Sequence, residues 1–329
     1  MSAIGTKMTL LDIAKRVDPA GKVQAIAEVL TQTNEILTDL PFEECNDGTG
    51  HIGTTRTGLP SVTWTQLNYG VQPSKSTTAQ IKDTCGMLEA YSQVDKRVVE
   101  RASSPQEIRF QEDVSFLEAM NQEMASKLFY GNVAVDAKTF TGLSPRFNSL
   151  SAASGANIVS GESSDSGGST SIWLAGWGPH SGYALYPKNS KAGFSHTDLG
   201  EVTLEDAAHG LYQGFRSHYK WDIGLHIRDW RYFVRIANID VSALTKDASA
   251  GADILDLMSQ AVELLPNLNL VKPVFYCNGT IKSFLRRQLM NKENVFLSVA
   301  EAAGKHVMSF DDIPVRKCDK IVNTEAVVA

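Results

Sequence analysis

The stretch NDGTGHIGTTRTGLPSVTWTQLNYGVQPSKSTTAQIK, residues 46–82, decides how the chain is read. It opens on Gly, Thr and other polar residues. Val62 and Trp64 then alternate with Thr63 and Thr65, the period of two that marks a strand over 61–67. Asn68-Tyr69-Gly70 has turn chemistry, and VQPSKSTTAQI leads back. The pattern predicts a two-stranded excursion with polar flanks and too few large apolar residues to be a domain by itself. The same stretch holds Gly48-Thr49-Gly50-His51-Ile52-Gly53, which matches G-x-G-x-x-G by letter. A dinucleotide site needs a strand before that motif and a helix opening inside it. LPFEECND before it and TTRTGLPS after it supply neither, so the segment reads as a flexible loop.

Outward on the N-terminal side, residues 1–45 read as an arm. A helix is expected from Asp18 to Leu37, with Pro19 in its first turn and Pro41 beyond its end. Its apolar stripe is weak, so it needs a neighbour to stay folded. On the C-terminal side, SPQEIRFQEDVSFLEAMNQEMASKLFYG (104–131) is the strongest single element. Ser104-Pro105-Gln106-Glu107 is a capping box with proline at the first helical position. Phe110, Val114, Leu117, Met120, Met124 and Leu128 form one stripe, and Gly131 can close the helix in a left-handed conformation. The rod is about 38 Å long.

Beyond it, residues 149–171 are dominated by Ser and Gly and suit a mobile surface loop. The aromatic run with Trp173, Trp177, Tyr183 and Tyr186 reads as a packed loop, or as a binding surface. In IRDWRYFVRI, Trp230, Tyr232, Val234 and Ile236 share one face, and Asp229, Arg231 and Arg235 the other, with Phe233 the exception. A long, half-buried strand of an antiparallel sheet is expected there. AGADILDLMSQAVELL reads as a helix stopped by Pro266, KPVFYCNG as a short buried strand, and TIKSFLRRQLMNK and ENVFLSVAEAAGK as helices. HVMSFDDIPVRKCDKIV reads as a hairpin around Asp311-Asp312. The mixture is α+β rather than repeating βαβ.

The chain has 329 residues, 43% hydrophobic and 21% charged, with a net charge of -6. That balance argues against a protein whose main work is neutralising nucleic-acid phosphates. No run of about 18 apolar residues suggests a membrane span, and MSAIGTKMTLLDIAKR lacks the apolar core of a signal peptide. Cys45, Cys85, Cys277 and Cys318 are far apart, without zinc-ligand spacing. They read as reduced thiols, with a Cys45–Cys85 bridge as the one sharper idea. No P-loop or GxSxG elbow is present. The seven histidines are scattered, and Asp311-Asp312, Glu43-Glu44 and Glu205-Asp206 read as solvated charge. No catalytic, cofactor or metal site is expected, which moves weight toward a structural role.

Several segments in order carry a specific resemblance: LPSVTWTQLNYGVQPSKSTTAQIKDTCGMLEAYSQVD (59–95), FTGLSPRFN (140–148), WDIGLHIRDWRYFVRIANID (221–240) and DDIPVRKCDKI (311–321). Together they resemble the major capsid proteins of short-tailed bacteriophages of the epsilon-15 and Bordetella-phage kind, over nearly the whole chain. The resemblance implies a Hong Kong 97-type coat fold. Residues 1–45 would be its N-arm, 46–82 its extended E-loop, and 83–148 a peripheral (P) domain with the spine helix 105–130. Residues 149–225 would be mainly an axial (A) domain, 226–245 a long P-domain strand, and 246–329 again mainly A-domain, with C-terminal strands shared with the P-domain.

The implied function is self-assembly into hexamers and pentamers of an icosahedral shell around double-stranded DNA, which is held without sequence-specific binding. Trp64, Leu67, Tyr69 and Val71 are the candidate subunit-interface residues. The implied partners are further copies of the chain, a cement protein, a portal and a scaffold, with assembly in the bacterial cytoplasm and no membrane. Some relatives join subunits through a lysine–asparagine bond. Lys75 lies in the E-loop segment, but no partner asparagine and glutamate stand out, so no such crosslink is expected. The alternatives are an α+β enzyme using carboxylates near Asp311, or a carbohydrate- or protein-binding module built on Trp173–Tyr186.

Overall fold

The computed structural model describes residues 32–48, 50–101, 104–163, 167–206, 208–245, 251–291, 297–302 and 305–329. Residues 1–31 of the expected N-arm lie outside the described residues; of the helix expected from Asp18 to Leu37, residues 32–35 are not helical, and only a short helix, Ile36–Asp39, forms because Asn34 pairs with Cys318 instead. The elements run α1 (Ile36–Asp39), β1 (Phe42–Glu44), β2 (His51–Gly58), β3 (Thr77–Asp83), β4 (Cys85–Asp95), α2 (Lys96–Val99), α3 (Pro105–Tyr130), β5 (Ile158–Ser160), β6 (Ser169–Trp177) and β7 (Gly182–Tyr186). They continue as β8 (Phe194–Glu205), β9 (Leu211–Ile227), β10 (Phe233–Asp240), α4 (Ile254–Glu263), β11 (Lys272–Cys277), α5 (Gly279–Asn291), β12 (Leu297–Ala302), β13 (Lys305–Phe310) and β14 (Ile313–Lys317). The chain divides into two units.

Among the described residues, the first unit is built mainly from Met87–Ala125 and Gly193–Asp222. β8 and β9 form a long antiparallel hairpin, from Phe194 opposite Trp221 to Glu205 opposite Leu211. Its register slips between Asp198 and Glu201, where Gly200 takes a φ of 69°. Gly214 lets β9 approach β4: a Cβ there would stand 2.8 Å from the Val94 carbonyl oxygen. A small core of Val94, Val98, Val99 and Ile108 forms beside Phe215. Asp95 caps α2 by accepting from the Arg97 N–H. Lys96–Glu201 at 2.8 Å and Arg109–Asp198 at 2.7 Å tie helices to the hairpin.

α3 has the expected bounds, but its stripe does not stay buried. Met120, Met124 and Leu128 are buried, whereas Phe110 and Leu117 are exposed. The burial of its C-terminal half moves onto Ala125 and Phe129 as well. Gly131 is not left-handed. It is needed for close approach instead, because a Cβ would lie 2.5 Å from the Phe140 carbonyl. The helix end is satisfied by the returning chain, with Gly142 N–H donating to Gly131 O and Leu143 N–H to Leu128 O.

The second unit is Asn34–Gly86, Ser126–Ala192 and Ile223–Ala329. Its main sheet has the order β12-β13-β14-β11-β6-β10-β5. β6 is buried along its whole length and β10 along nearly all of it. Trp173, Arg235 and Tyr276 share a register row on one face. Phe129 and Phe147 pack there against Trp173, with ring centroids 6.3 and 5.9 Å away. α4 packs against β10 and is capped by Asp253, which accepts from the Asp256 N–H. β2 and β3 form a separate two-stranded sheet.

Several sequence readings are corrected. The strand expected over 227–236 is broken: Asp229 accepts from Arg231 N–H and caps a 3-10 turn at Trp230–Tyr232, so β10 starts only at Phe233. The polar face of that strand is absent too, because Arg235 is buried against Glu325. The Ser/Gly stretch 149–171 contains β5, paired in parallel with β10, and the start of β6. Trp173, Trp177 and Tyr183 are buried strand residues, not a loop. The helix expected over 293–305 is replaced by β12, whose pairing with β13 from Leu297–Phe310 to Ala302–Lys305 overrides its alanine-rich helical propensity. The hairpin at Asp311-Asp312 is present, with both residues at positive φ as a tight two-residue turn requires.

Candidate assembly interface

The two-stranded excursion exists, but its strands are not where the apolar alternation places them. β2 covers the segment read as a flexible loop and pairs with β3 from His51–Asp83 to Gly58–Thr77. The expected strand over 61–67 is irregular. Pro60 and Pro73 flank the gap, and proline cannot donate to a ladder. The tip is organised by local bonds instead. Ser74 Oγ donates to Ser61 O at 2.8 Å. Tyr69 N–H donates to Gln66 O, with Asn68 left-handed at φ 69°.

Trp64 is fully exposed, and Val62 and Leu67 are 92% and 93% exposed. Tyr69 and Val71 are exposed as well. All four candidate residues, Trp64, Leu67, Tyr69 and Val71, thus share one short segment and none is covered by its own chain. Each large apolar side chain gains about 1.5–3 kcal/mol when buried. Exposed apolar side chains gathered in one short segment are unusual on a lone chain.

The root of the excursion is the opposite: polar, with His51, Asp83 and His226 buried, although His51 Nδ1 and His226 Nε2 have no hydrogen-bond partner. Asn46 clamps Ile52 through both its N–H and its carbonyl at 2.8 Å. Asp83, the last residue of β3, receives the Arg146 guanidinium on Oδ1 and His226 Nδ1 on Oδ2, each at 2.7 Å. Arg146 also donates to the Leu225, Gly142 and Thr141 carbonyls. His51 Nε2 lies 3.0 Å from the Tyr183 hydroxyl. Gly53 is required on β2, because a Cβ there would meet His226 Nε2 at 2.3 Å. Thr55 Oγ1 donates to Arg228 O at 2.8 Å.

The electrostatics follow from burial. Burial alone would raise the Asp83 carboxyl, but the His226 and Arg146 hydrogen bonds outweigh it and hold the group below its ordinary range. Burial, with His226 nearby, pushes His51 down and so favours its neutral form. Burial and the Glu43 carboxylate push the Tyr183 hydroxyl up. The root is held by buried ionic and polar contacts, and the tip leaves its apolar side chains exposed.

The alternative sites do not form. Asp311 and Asp312 are the exposed turn of the β13–β14 hairpin. Trp173, Trp177 and Tyr183 are inside, so they offer no ligand surface. Among the described residues no group of three or more His, Cys, Asp or Glu side chains is placed to hold a metal ion. Sequence reasoning missed the root cluster entirely. Its members are far apart in sequence, with 143 positions between Asp83 and His226 and 173 between Thr55 and Arg228, and only the glycine at 53 hints at close packing.

A mixed α+β body with a projecting two-stranded segment and one long helix defines the class of Hong Kong 97-type coat proteins. A chain of bacteriophage Epsilon15 matches with a TM-score of 0.80 at 39% identity, covering 100% of this chain and 99% of that one. A chain of the bacteriophage JBD30 capsid matches with a TM-score of 0.51 over 92% of this chain and 99% of that one; at 8% identity it shares the fold alone. No curated protein matches. The family model for major capsid protein GP7 matches residues 18–329, and the chain belongs to that family. It is a phage coat protein that forms an icosahedral shell.

Proposed function

We propose that the shell is made of hexamers and pentamers in which residues 46–82 of each subunit, the E-loop, lie across a neighbouring copy. Trp64, Leu67, Tyr69 and Val71 are the anchors. The observation that carries this reading is the contrast between an uncovered apolar tip and a buried ionic root. Such a segment is costly in a lone chain and useful only where a second surface covers it. The N-arm expected over residues 1–45 is anchored on its own subunit at its end, where β1 pairs with β7 and Ile36 and Cys45 are buried. Residues 83–148 and 226–245 serve a P-domain, with α3 as spine, and 149–225 and 246–329 serve mainly an A-domain. Each subunit makes several modest contacts, and ring closure makes them act together.

The chain acts without catalysis, and Lys75 makes no covalent crosslink. It encloses double-stranded DNA loosely, as its net charge of -6 suits. A scaffold, a portal and a cement protein complete the virion, which assembles in the bacterial cytoplasm. The test is the combined variant Trp64→Ser, Leu67→Ser, Tyr69→Ser and Val71→Ser. It folds with an unchanged thermal transition and yields no shells by electron microscopy. Shells at the parent yield would overturn the reading.

A further inference from the structure

Cys45 and Cys85 stand at the two ends of the excursion. Cys45 directly follows β1, and Cys85 opens β4. Their sulfur atoms are 3.4 Å apart. Cys45 is buried with Tyr183 and Leu185, and the half-buried Cys85 packs against the same group. Both backbones are held from outside the pair. Cys45 N–H donates to Tyr186 O at 2.9 Å. On the other side Gly224 makes the room that Cys85 occupies, since a Cβ there would stand 3.2 Å from its sulfur and 2.7 Å from Thr84 O. The sulfurs need to close from 3.4 Å to about 2.05 Å to bond.

The remaining cysteines are in a different situation. Cys277 and Cys318 are wholly buried, and burial pushes both thiols up to about 12. Their sulfurs face Arg316 O and Asn34 Oδ1 respectively. Thiolates rather than thiols are the nucleophiles of disulfide chemistry, so burial disfavours the reactive form of both.

We propose that Cys45 and Cys85 are a redox-active pair that forms an intrachain disulfide when the protein meets an oxidising medium, closing residues 46–84 into a covalent loop. The oxidant is a low-molecular-weight disulfide such as oxidised glutathione. The more exposed Cys85 loses its proton and attacks one sulfur of that disulfide, forming a mixed disulfide and releasing one small thiolate. Cys45 then loses its proton and attacks the Cys85 sulfur, which releases the second small thiolate. The two cysteines give up two electrons, and the small disulfide is reduced to two thiols. Burial pushes the Cys45 thiol up, only partly offset by its hydrogen bond to Cys85, and Glu44 and Asp47 add to the rise. Ring closure therefore accelerates with rising pH.

The pairing stands on this geometry alone. Its consequence rests on the proposed E-loop role: the bond fixes the root of each arm in a particle that has left a reducing cytoplasm.

The test uses purified particles, or the soluble full-length chain if no particles form, so that a failure of assembly and a failure of the pairing remain separate results. The sample is incubated with oxidised glutathione, quenched in acid, alkylated and digested without reduction. The expected result is a linked Cys45–Cys85 peptide pair, with free thiols falling from four to two per chain and the chain lighter by two hydrogens. Dithiothreitol reverses all three changes. In Cys45→Ser the linked pair disappears and Cys85 accumulates as the glutathione adduct. Four alkylatable thiols after oxidation, a parent chain that stops at the Cys85 adduct, or links only between different chains would each overturn the proposal.

Discussion

His226 Nδ1 lies 2.7 Å from Asp83 Oδ2, and this contact joins the last residue of the projecting hairpin to strand β9 of the main body of its unit. The imidazole is wholly buried. Asp83 is also the anchor of Arg146, so one carboxylate holds two separate pieces of chain against the hairpin root.

That root makes stability fall in acid, in two stages. The group facing His51 and Asp83 comprises His226, Arg146, Tyr183, the Glu43 carboxylate and the Glu44 backbone. His51 has a folded-state pKa below its ordinary value, so the folded state binds fewer protons than the unfolded one. Stability is full above about pH 6.5 and declines as pH drops from there toward the folded value. Asp83 is held low as well. Its contribution is present above about pH 4 and disappears as pH falls through its depressed folded value. Thermal unfolding followed from pH 8 to pH 3 is expected to show both declines. Asp83→Asn removes the second and leaves the Arg146 guanidinium without its counter-charge, at a cost of about 2–3 kcal/mol at neutral pH, discounted for the partial exposure of Arg146.

Glu325 is the second buried charge that the fold depends on. It accepts from Arg235 at 2.7 Å and from the hydroxyls of Tyr130 and Ser171. Arg235 and Glu325 are both nearly inaccessible. Glu325→Ala strands the guanidinium and is expected to destabilise by about 3–5 kcal/mol. The paired replacement Arg235→Met with Glu325→Leu recovers most of that loss, because neither charge is then buried alone. Denaturant unfolding of the two variants checks both statements.

Trp177 separates a coat protein from a ligand-binding module. It is buried, donates from Nε1 to the Tyr276 hydroxyl at 2.9 Å, and meets Phe233 edge-on at 5.3 Å. Trp177→Ala is expected to destabilise by about 3–5 kcal/mol. Calorimetry that found the transition unchanged would mean the indole faces a ligand rather than the core.

Local signals were readable where local physics decides the outcome. The proline that opens α3, the stop at Pro266 after α4, the buried run of β11 and the Asp311-Asp312 turn all specify their own conformation, whereas Gly131 is needed for a contact with distant Phe140. The failures have one cause: the deciding partner is distant in sequence. The alanine-rich segment at 297–302 becomes a strand because β13 offers it a ladder. Val62 and Trp64 alternate like a strand, yet no ladder partner reaches them, so 61–67 is irregular while the glycine-spaced residues 51–58 pair with 77–83. The candidate anchors were legible as apolar residues without a core. The ionic root that holds them out was not, since no spacing rule links Asp83 to Arg146 and His226.

The most direct measurement is a cryo-electron-microscopy reconstruction of assembled particles, resolved well enough to place the Trp64 indole. The account predicts that Trp64, which its own chain leaves fully exposed, is buried on a neighbouring copy together with Leu67. An indole folded back onto its own subunit, or still open to solvent in the closed shell, would contradict it.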